Sequence, residues 1–269
     1  MPIAPYKIVL PGRALRIPMI ADIPHSQTLI SPYIRQQILL DDDALQRELL
    51  RMTDWHTDHL FSWVLDIGGT MFVYPLSRLV MDPERFADDA QEPMAKIGHG
   101  VVYTHTSDGR PLARLSAVQR AERISELYEP YHEGLNALAK HMLDVTGLCI
   151  FLDCHSFSTT PLPHERDQRS NRPDICLGTD RFHTPPLIAK ELERGFVAEG
   201  FRVRRNRPFK GTLVPSDYRK KERHVCAAMI EVRRGLYCDE ATGERLPDFD
   251  DVRDVLRRVI GRVLGPPES

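Results

Sequence analysis

The stretch GLCIFLDCHSFS, Gly147 to Ser158, is an apolar run that ends abruptly in an acid, a thiol and an imidazole. Apolar residues from Leu148 to Leu152, bounded by a glycine and a Ser/Thr-rich loop, read as a strand buried on both faces. In open α/β sheets ligands sit outside the carboxyl ends of the strands. Asp153 and His155 are two residues apart, so a strand places them on one face, at the end where a site belongs. Cys154 then points to the other face, which sets aside a cysteine nucleophile paired with His155. A serine mechanism through Ser26 or Ser156 lacks the strand-turn-helix GxSxG setting.

Two other segments finish the same way. The stretch from Arg16 to Asp22 contains IPMIAD and stops at Pro24, His25 and Ser26, while HVCAAMIEVRR runs apolar to Ile230 and then reaches Glu231, Arg233 and Arg234. A carboxylate at a buried strand end needs a partner. TMFVYP from Thr70, DICLGTD from Asp174 and GFRVRRN from Gly200 read as further strands, and GVVYTHTSDGRPL as a hairpin turning at Asp108 and Gly109. Helical patterns lie between them. One begins at Pro32 after Ser31, one runs from Asp43 through Leu50, and one is capped by Thr57, carries Asp58 in its first turn and stops at Gly68. A long helix from Ser116 is interrupted near Pro130, another opens at Thr184 and Pro185, and DFDDVRDVLRRVIGRVLG closes the chain as an amphipathic helix. Strands alternating with helices define an α/β fold. The polar, Pro-rich loop after Ser158 is long enough to act as a lid or substrate loop.

At 269 residues with 42% hydrophobic residues the chain is expected to form one domain. A formal net charge of -2, with Lys and Arg scattered among acids, argues against a nucleic-acid surface. The five cysteines show no CxxC spacing and read as reduced packing residues. No run approaches a membrane span, so a soluble, cytoplasmic protein is expected.

Three strand ends thus offer His25, the pair Asp153 and His155, and Glu231, and a helix start offers Asp58. Two histidines and one carboxylate make a catalytic zinc set that leaves a fourth position open. A separate carboxylate must still move protons, and Glu231 is the spare.

The strings PHS (Pro24–Ser26), TDWHTDHLF (Thr53–Phe61), SRLVMDPER (Ser77–Arg85), LDCHSF (Leu152–Phe157), NRPFKG (Asn206–Gly211) and IEVRRGLY (Ile230–Tyr237) together resemble the N-formylglutamate amidohydrolase family. The resemblance implies a three-layer αβα domain with a mixed, largely parallel sheet, like the zinc carboxypeptidases and aspartoacylase, and one catalytic zinc per chain. It implies that His25 and His155 bind the metal, with Asp58 as carboxylate ligand and Asp153 as competitor for that role. Glu231 would be general base and then acid, and Arg78 would stabilise the oxyanion or grip a substrate carboxylate. Arg85 is the second clamp, and Ser156 and Arg233 are further substrate contacts. The implied reaction is hydrolysis of a small N-acyl amino acid, above all N-formyl-L-glutamate; a related zinc amidase or carboxypeptidase and a ligand-binding relative without turnover are the alternatives. The chain departs from the family pattern at Gln27, Glu84 and Thr212, where PHSG, DxNR and a second glycine are usual.

Overall fold

The stretch from Gly147 forms the central strand of a seven-stranded sheet: β4, Cys149–Phe157, is buried along its whole length. The computed structural model describes residues 4–12 and 17–265, so Arg16 lies outside the described residues. The other strands are β1 (Lys7–Val9), β2 (Met19–Ile23), β3 (Thr70–Val73), β5 (Ile175–Thr179), β6 (Val203–Arg205) and β7 (Val225–Arg233). Their order is β1-β3-β2-β4-β7-β5-β6. The β3-β2-β4-β7 block is parallel, whereas β1 and β5 join it antiparallel and β6 runs parallel to β5.

Alternation along the strands splits the core in two. Ile150, Leu152 and Cys154 face one side, packing with residues of α6 (Pro186–Ala198) and α7 (Phe249–Leu264) such as Phe196, Leu256 and Val259. Cys149 and Phe151 face the other, against Tyr131, Leu135, Ala139 and Met142 of α5 (Glu129–Thr146). Helices on both faces of a mixed sheet make the expected three-layer αβα architecture. A smaller apolar cluster joins Leu45, Leu49 and Met52 of α2 (Asp42–Met52) to Leu79, Tyr103 and Leu112. The short α1 (Pro32–Arg35) has the expected start, with the Ser31 side chain accepting from Ile34 N. Among the described residues no helix is long and apolar enough to cross a membrane.

Three elements differ from expectation. The helix expected from Thr57 to Gly68 is only α3, Thr57–Leu60, followed by a 3₁₀ turn over Ser62–Val64. Its cap is His56, with φ of 61°, and the Thr57 hydroxyl turns back to donate to Asp54 O at 2.9 Å. The long helix is interrupted near Pro130, but by a π turn ahead of it rather than by the proline: α4 (Ala117–Arg123), closed at its start by a Ser116 and Gln119 capping box, passes through a π turn over Ile124–Tyr128 into α5.

The expected hairpin is a turn held by isolated bridges, His99 to Tyr103 and His105 to Pro111. There His99 stacks on Tyr103 with centroids 4.6 Å apart and donates from Nε2 to Thr106 O at 3.1 Å. Burial pushes the His99 pKa down to about 4. In the window from about 6.5 to about 4 the unfolded chain binds the proton and the folded chain does not, so stability falls as pH falls. Between about pH 7 and about pH 5 this histidine should cost about 2 kcal/mol. Urea unfolding of wild type and His99→Gln checks it; parallel pH profiles would remove His99 as the source.

Candidate metal centre and active-site cavity

The strand ends place the chemistry. Parallel pairing sets Asp22 of β2 opposite Asp153 of β4, and His155 of β4 opposite Glu231 of β7. All four residues are buried. His25 follows β2 by two residues, and its backbone carbonyl accepts from Asp54 N at 3.0 Å. That bond draws the irregular chain after α2 across the strand ends and delivers the Asp54 carboxylate beside both imidazoles.

His25 Nδ1 and His155 Nδ1 lie 3.3 Å apart. Asp54 Oδ2 is 3.1 Å from His155 Nδ1 and 3.7 Å from His25 Nδ1. Donors held at about 2.0–2.1 Å by a tetrahedral zinc ion are themselves about 3.3 Å apart, so these three buried atoms fit one such ion. The opposite ring nitrogens are each held by another carboxylate: His25 Nε2 by Asp82 Oδ1 at 2.9 Å, and His155 Nε2 by Asp153 Oδ1 at 2.7 Å. Such partners fix tautomer and ring orientation and make each imidazole a better donor. Glu84 Oε2 also lies 3.1 Å from His155 Nε2, so Glu84, Asp153 and His155 form a second acidic group on the far side of that ring. His155 Nε2 thus faces two carboxylates, Asp153 and Glu84, while its Nδ1 faces Asp54 and His25.

The supporting carboxylates are themselves anchored. Asp82 Oδ2 accepts from Arg78 Nη2 at 2.7 Å and Tyr103 Oη at 2.6 Å, and Asp153 Oδ2 accepts from Leu213 N at 2.7 Å. Burial alone would raise the Asp82 pKa, but the charges of Arg78 and His25 outweigh it and hold the carboxyl well below its usual range. Asp54 is likewise lowered, against its burial, by hydrogen bonds from His155 and His25. His155 goes the other way: burial opposes its charge, yet Glu84, Asp153 and the bond to Asp54 raise its pKa well above normal.

Glu231 stands apart from this bonded network. Its Oε2 is buried with no hydrogen-bond partner. Burial, reinforced by the negative charges of Asp54, Glu84 and Asp153 and offset by His155, pushes its pKa up to about 8. Neither Arg233 nor Arg234 pairs with it: Arg233 Nη2 donates to Asp174 Oδ1 at 2.5 Å, and Arg234 Nη2 reaches Asp54 Oδ1 at 3.5 Å. His25, Asp54, His155 and Glu231 open together into a cavity of about 730 Å³. Leu162, His164 and Glu165 of the long loop form part of its wall.

The structure brings together His25, His155, Asp153, Glu231, Arg78, Arg85 and Ser156 around this cavity. It does not bring in Asp58. That carboxylate accepts from Gln27 Nε2 at 3.1 Å and from His59 N at 3.0 Å in the first turn of α3, and it is Asp54 that lies with His25 and His155 in the group able to hold a metal ion. Arg233 is also absent from the wall, and Arg234 is present: β7 ends at Arg233 and a 3₁₀ turn begins at Arg234, so strand alternation no longer governs direction. Asp54, Asp82 and Arg234 were not singled out from the sequence. The only hints were the repeated Thr-Asp pairs in TDWHTD and the apolar Leu79-Val80-Met81 run leading into Asp82.

Two buried imidazoles at the ends of parallel strands and the Asp54 carboxylate beside them form a group able to hold a metal ion, with a spare carboxylate in the same cavity of an αβα fold. The family model for N-formylglutamate amidohydrolase matches residues 17–238, and the chain belongs to that family. An N-formylglutamate deformylase of Pseudomonas aeruginosa is 30% identical over 265 residues, 95% of this chain and 96% of that protein. One of Pseudomonas putida is 26% identical over 84% of this chain and 83% of its own. The crystal structure of an N-formylglutamate amidohydrolase from Ralstonia eutropha JMP134 superposes with a TM-score of 0.83 at 26% identity, covering 97% of this chain and 98% of that one. A gene product of Agrobacterium tumefaciens, 18% identical with a TM-score of 0.69 over 96% and 94% of the two chains, shares the fold.

Proposed function

We propose that this amidohydrolase cleaves N-formyl-L-glutamate to formate and L-glutamate, using one zinc ion held by His25 Nδ1, His155 Nδ1 and Asp54 Oδ2. The donor spacing and the carboxylate behind each imidazole support the ligand set. A zinc ion there would supply Lewis-acid polarisation of the formyl carbonyl and acidify water. The chain's own residues do the rest. Glu231 Oε2 accepts the proton of the attacking water as the new C–O bond forms, then delivers it to the amide nitrogen as the C–N bond breaks. Arg234 donates toward Asp54 Oδ1 and, from Nε, to Ser156 Oγ at 3.3 Å, so it holds a metal ligand and one wall in place. Arg78 is engaged by Asp82, whereas Arg85 approaches Asp82 only to 3.8 Å and keeps donors for the substrate α-carboxylate.

The observation that carries this reading is the unbonded Glu231 carboxylate facing a cavity shared with the paired imidazoles. We read the whole chain as one catalytic domain, because α7, beyond the matched residues, packs into the same core as β4 and β7. The five free cysteines, four of them buried, suit a reducing cytoplasm. The test is a panel of N-formyl and N-acetyl amino acids incubated with zinc-loaded and chelator-stripped protein. Release of formate and glutamate from N-formyl-L-glutamate, lost on stripping and restored by zinc, is expected. Turnover of an acetylated substrate alone would move the assignment to another acyl group.

A further inference from the structure

Six cationic side chains line the cavity, and their partners divide them. Arg51 pairs with Asp108 at 3.2 Å, Arg78 with Asp82 at 2.7 Å and Arg234 with Asp54 at 3.5 Å, while Arg85 stands 3.8 Å from Asp82. Lys210 and Arg219 have no carboxylate oxygen within 4.0 Å among the described residues, although Glu84, Glu129, Glu133 and Glu165 share the same wall. Resting on the reading of the substrate as an N-formyl dicarboxylic amino acid, we infer that Lys210 and Arg219 bind its side-chain carboxylate and set the preference for an acidic amino acid.

Both cations are carried on chain segments that are fixed from several sides. Before Lys210, the Phe209 ring lies against Phe157 and beneath the Arg172 guanidinium, with centroid distances of 5.8 and 5.5 Å, and Phe209 O accepts from Cys176 Sγ at 3.4 Å. After it, Gly211 N donates to Asn206 Oδ1 at 3.2 Å, and Leu213 N is bound to Asp153. Asn206 is itself tied to β5, accepting from Thr179 N at 2.9 Å and donating to Thr179 Oγ1 at 2.8 Å. Gly211 adopts φ of 92°, and its carbonyl passes so close to Gly178 that any side chain there would collide with it. The loop bearing Lys210 is therefore braced by the same aspartate that orients His155.

Arg219 lies over the Phe86 ring, 5.2 Å from its centroid, next in sequence to Arg85. Its turn is fastened to α5 by Asn136 Nδ2 donating to Ser216 Oγ at 2.9 Å. Arg85, close to the His25 support, serves the α-carboxylate beside the scissile nitrogen. The second carboxylate of the substrate lies three carbon–carbon bonds from the α-carbon, and the two unpaired cations complete its recognition. A cation positioned for a carboxylate discriminates against the isosteric amide, which offers no charge in return.

The experiment compares kcat/KM for N-formyl-L-glutamate and N-formyl-L-glutamine in zinc-loaded wild type, Lys210→Met, Arg219→Met, the double variant and Lys210→Arg. Each Met variant should lower the glutamate-to-glutamine ratio by about 10-fold, chiefly through KM, and the double variant should bring it near unity. Lys210→Arg should recover most of the ratio, which a loss of fold would not allow. Equal losses on both substrates, or an unchanged ratio in the double variant, overturn the assignment. Hydrolysis of neither compound by wild type would overturn the proposed substrate, and this carboxylate site with it.

Discussion

Glu231→Gln should lose about 100-fold or more of its kcat while its zinc content and fold stay at wild-type levels. The substitution keeps the shape and hydrogen-bonding capacity of the side chain but cannot accept a proton from water. Because Oε2 makes no hydrogen bond, replacing it breaks none at that atom. A neutral amide also removes a buried carboxyl set near Asp54, Glu84 and Asp153, so the thermal midpoint should hold or rise. The loss should fall on kcat rather than KM, since the group acts on the reacting atoms and not on the bound substrate. A folded, zinc-loaded variant that retains most of its kcat would end the proton-shuttle role.

Asp54→Ala should leave the protein almost without zinc, whereas Asp58→Ala should bind it close to normally. The first removes one of the three atoms proposed as ligands, and the second removes a carboxylate engaged by Gln27 and the His59 backbone. An alteration behind a ligand, such as Asp153→Asn at His155, should fall between them, typically about 10 to 100-fold in affinity. Metal content after dialysis and competition titration against a chelator rank the three. If Asp58→Ala released zinc and Asp54→Ala kept it, the ligand set proposed from the donor spacing would be overturned.

What the amino-acid order made legible was whatever obeys a period. The apolar runs into His25, His155 and Glu231 are strands, and alternation correctly set Asp153 and His155 on one face with Cys154 packed on the other. Strands alternating with helices marked an α/β fold, and the family resemblance implied its three layers. The residues that escaped notice sit where no period holds. Asp54 lies between the end of α2 and the left-handed His56, and its place depends on a backbone bond to His25, far away in sequence. Asp82 belongs to an irregular turn within SRLVMDPER, yet the structure buries it completely beneath Arg78 and Tyr103. Arg234 opens the 3₁₀ turn just beyond β7, where strand alternation no longer tells which way a side chain points. Asp58 attracted attention for the opposite reason, since a regular helix start gave it a visible setting.

The π turn over Ile124–Tyr128 inserts extra chain into one long rod. On its near side Arg123 reaches Val80 O at 2.9 Å and Gln37 Oε1 at 2.5 Å; on its far side Tyr131 donates to Asp22 Oδ1 and His132 lines the cavity. Each residue of an α-helix advances about 100° around the axis, so excising one residue here would swing the α4 face by about that angle relative to α5. Tyr131 and His132 would stay in place, but Arg123 would point away from Val80 and Gln37. At the level of the coding sequence, gain or loss of one codon here would re-index α4 and leave the part of the rod that faces the cavity unaltered.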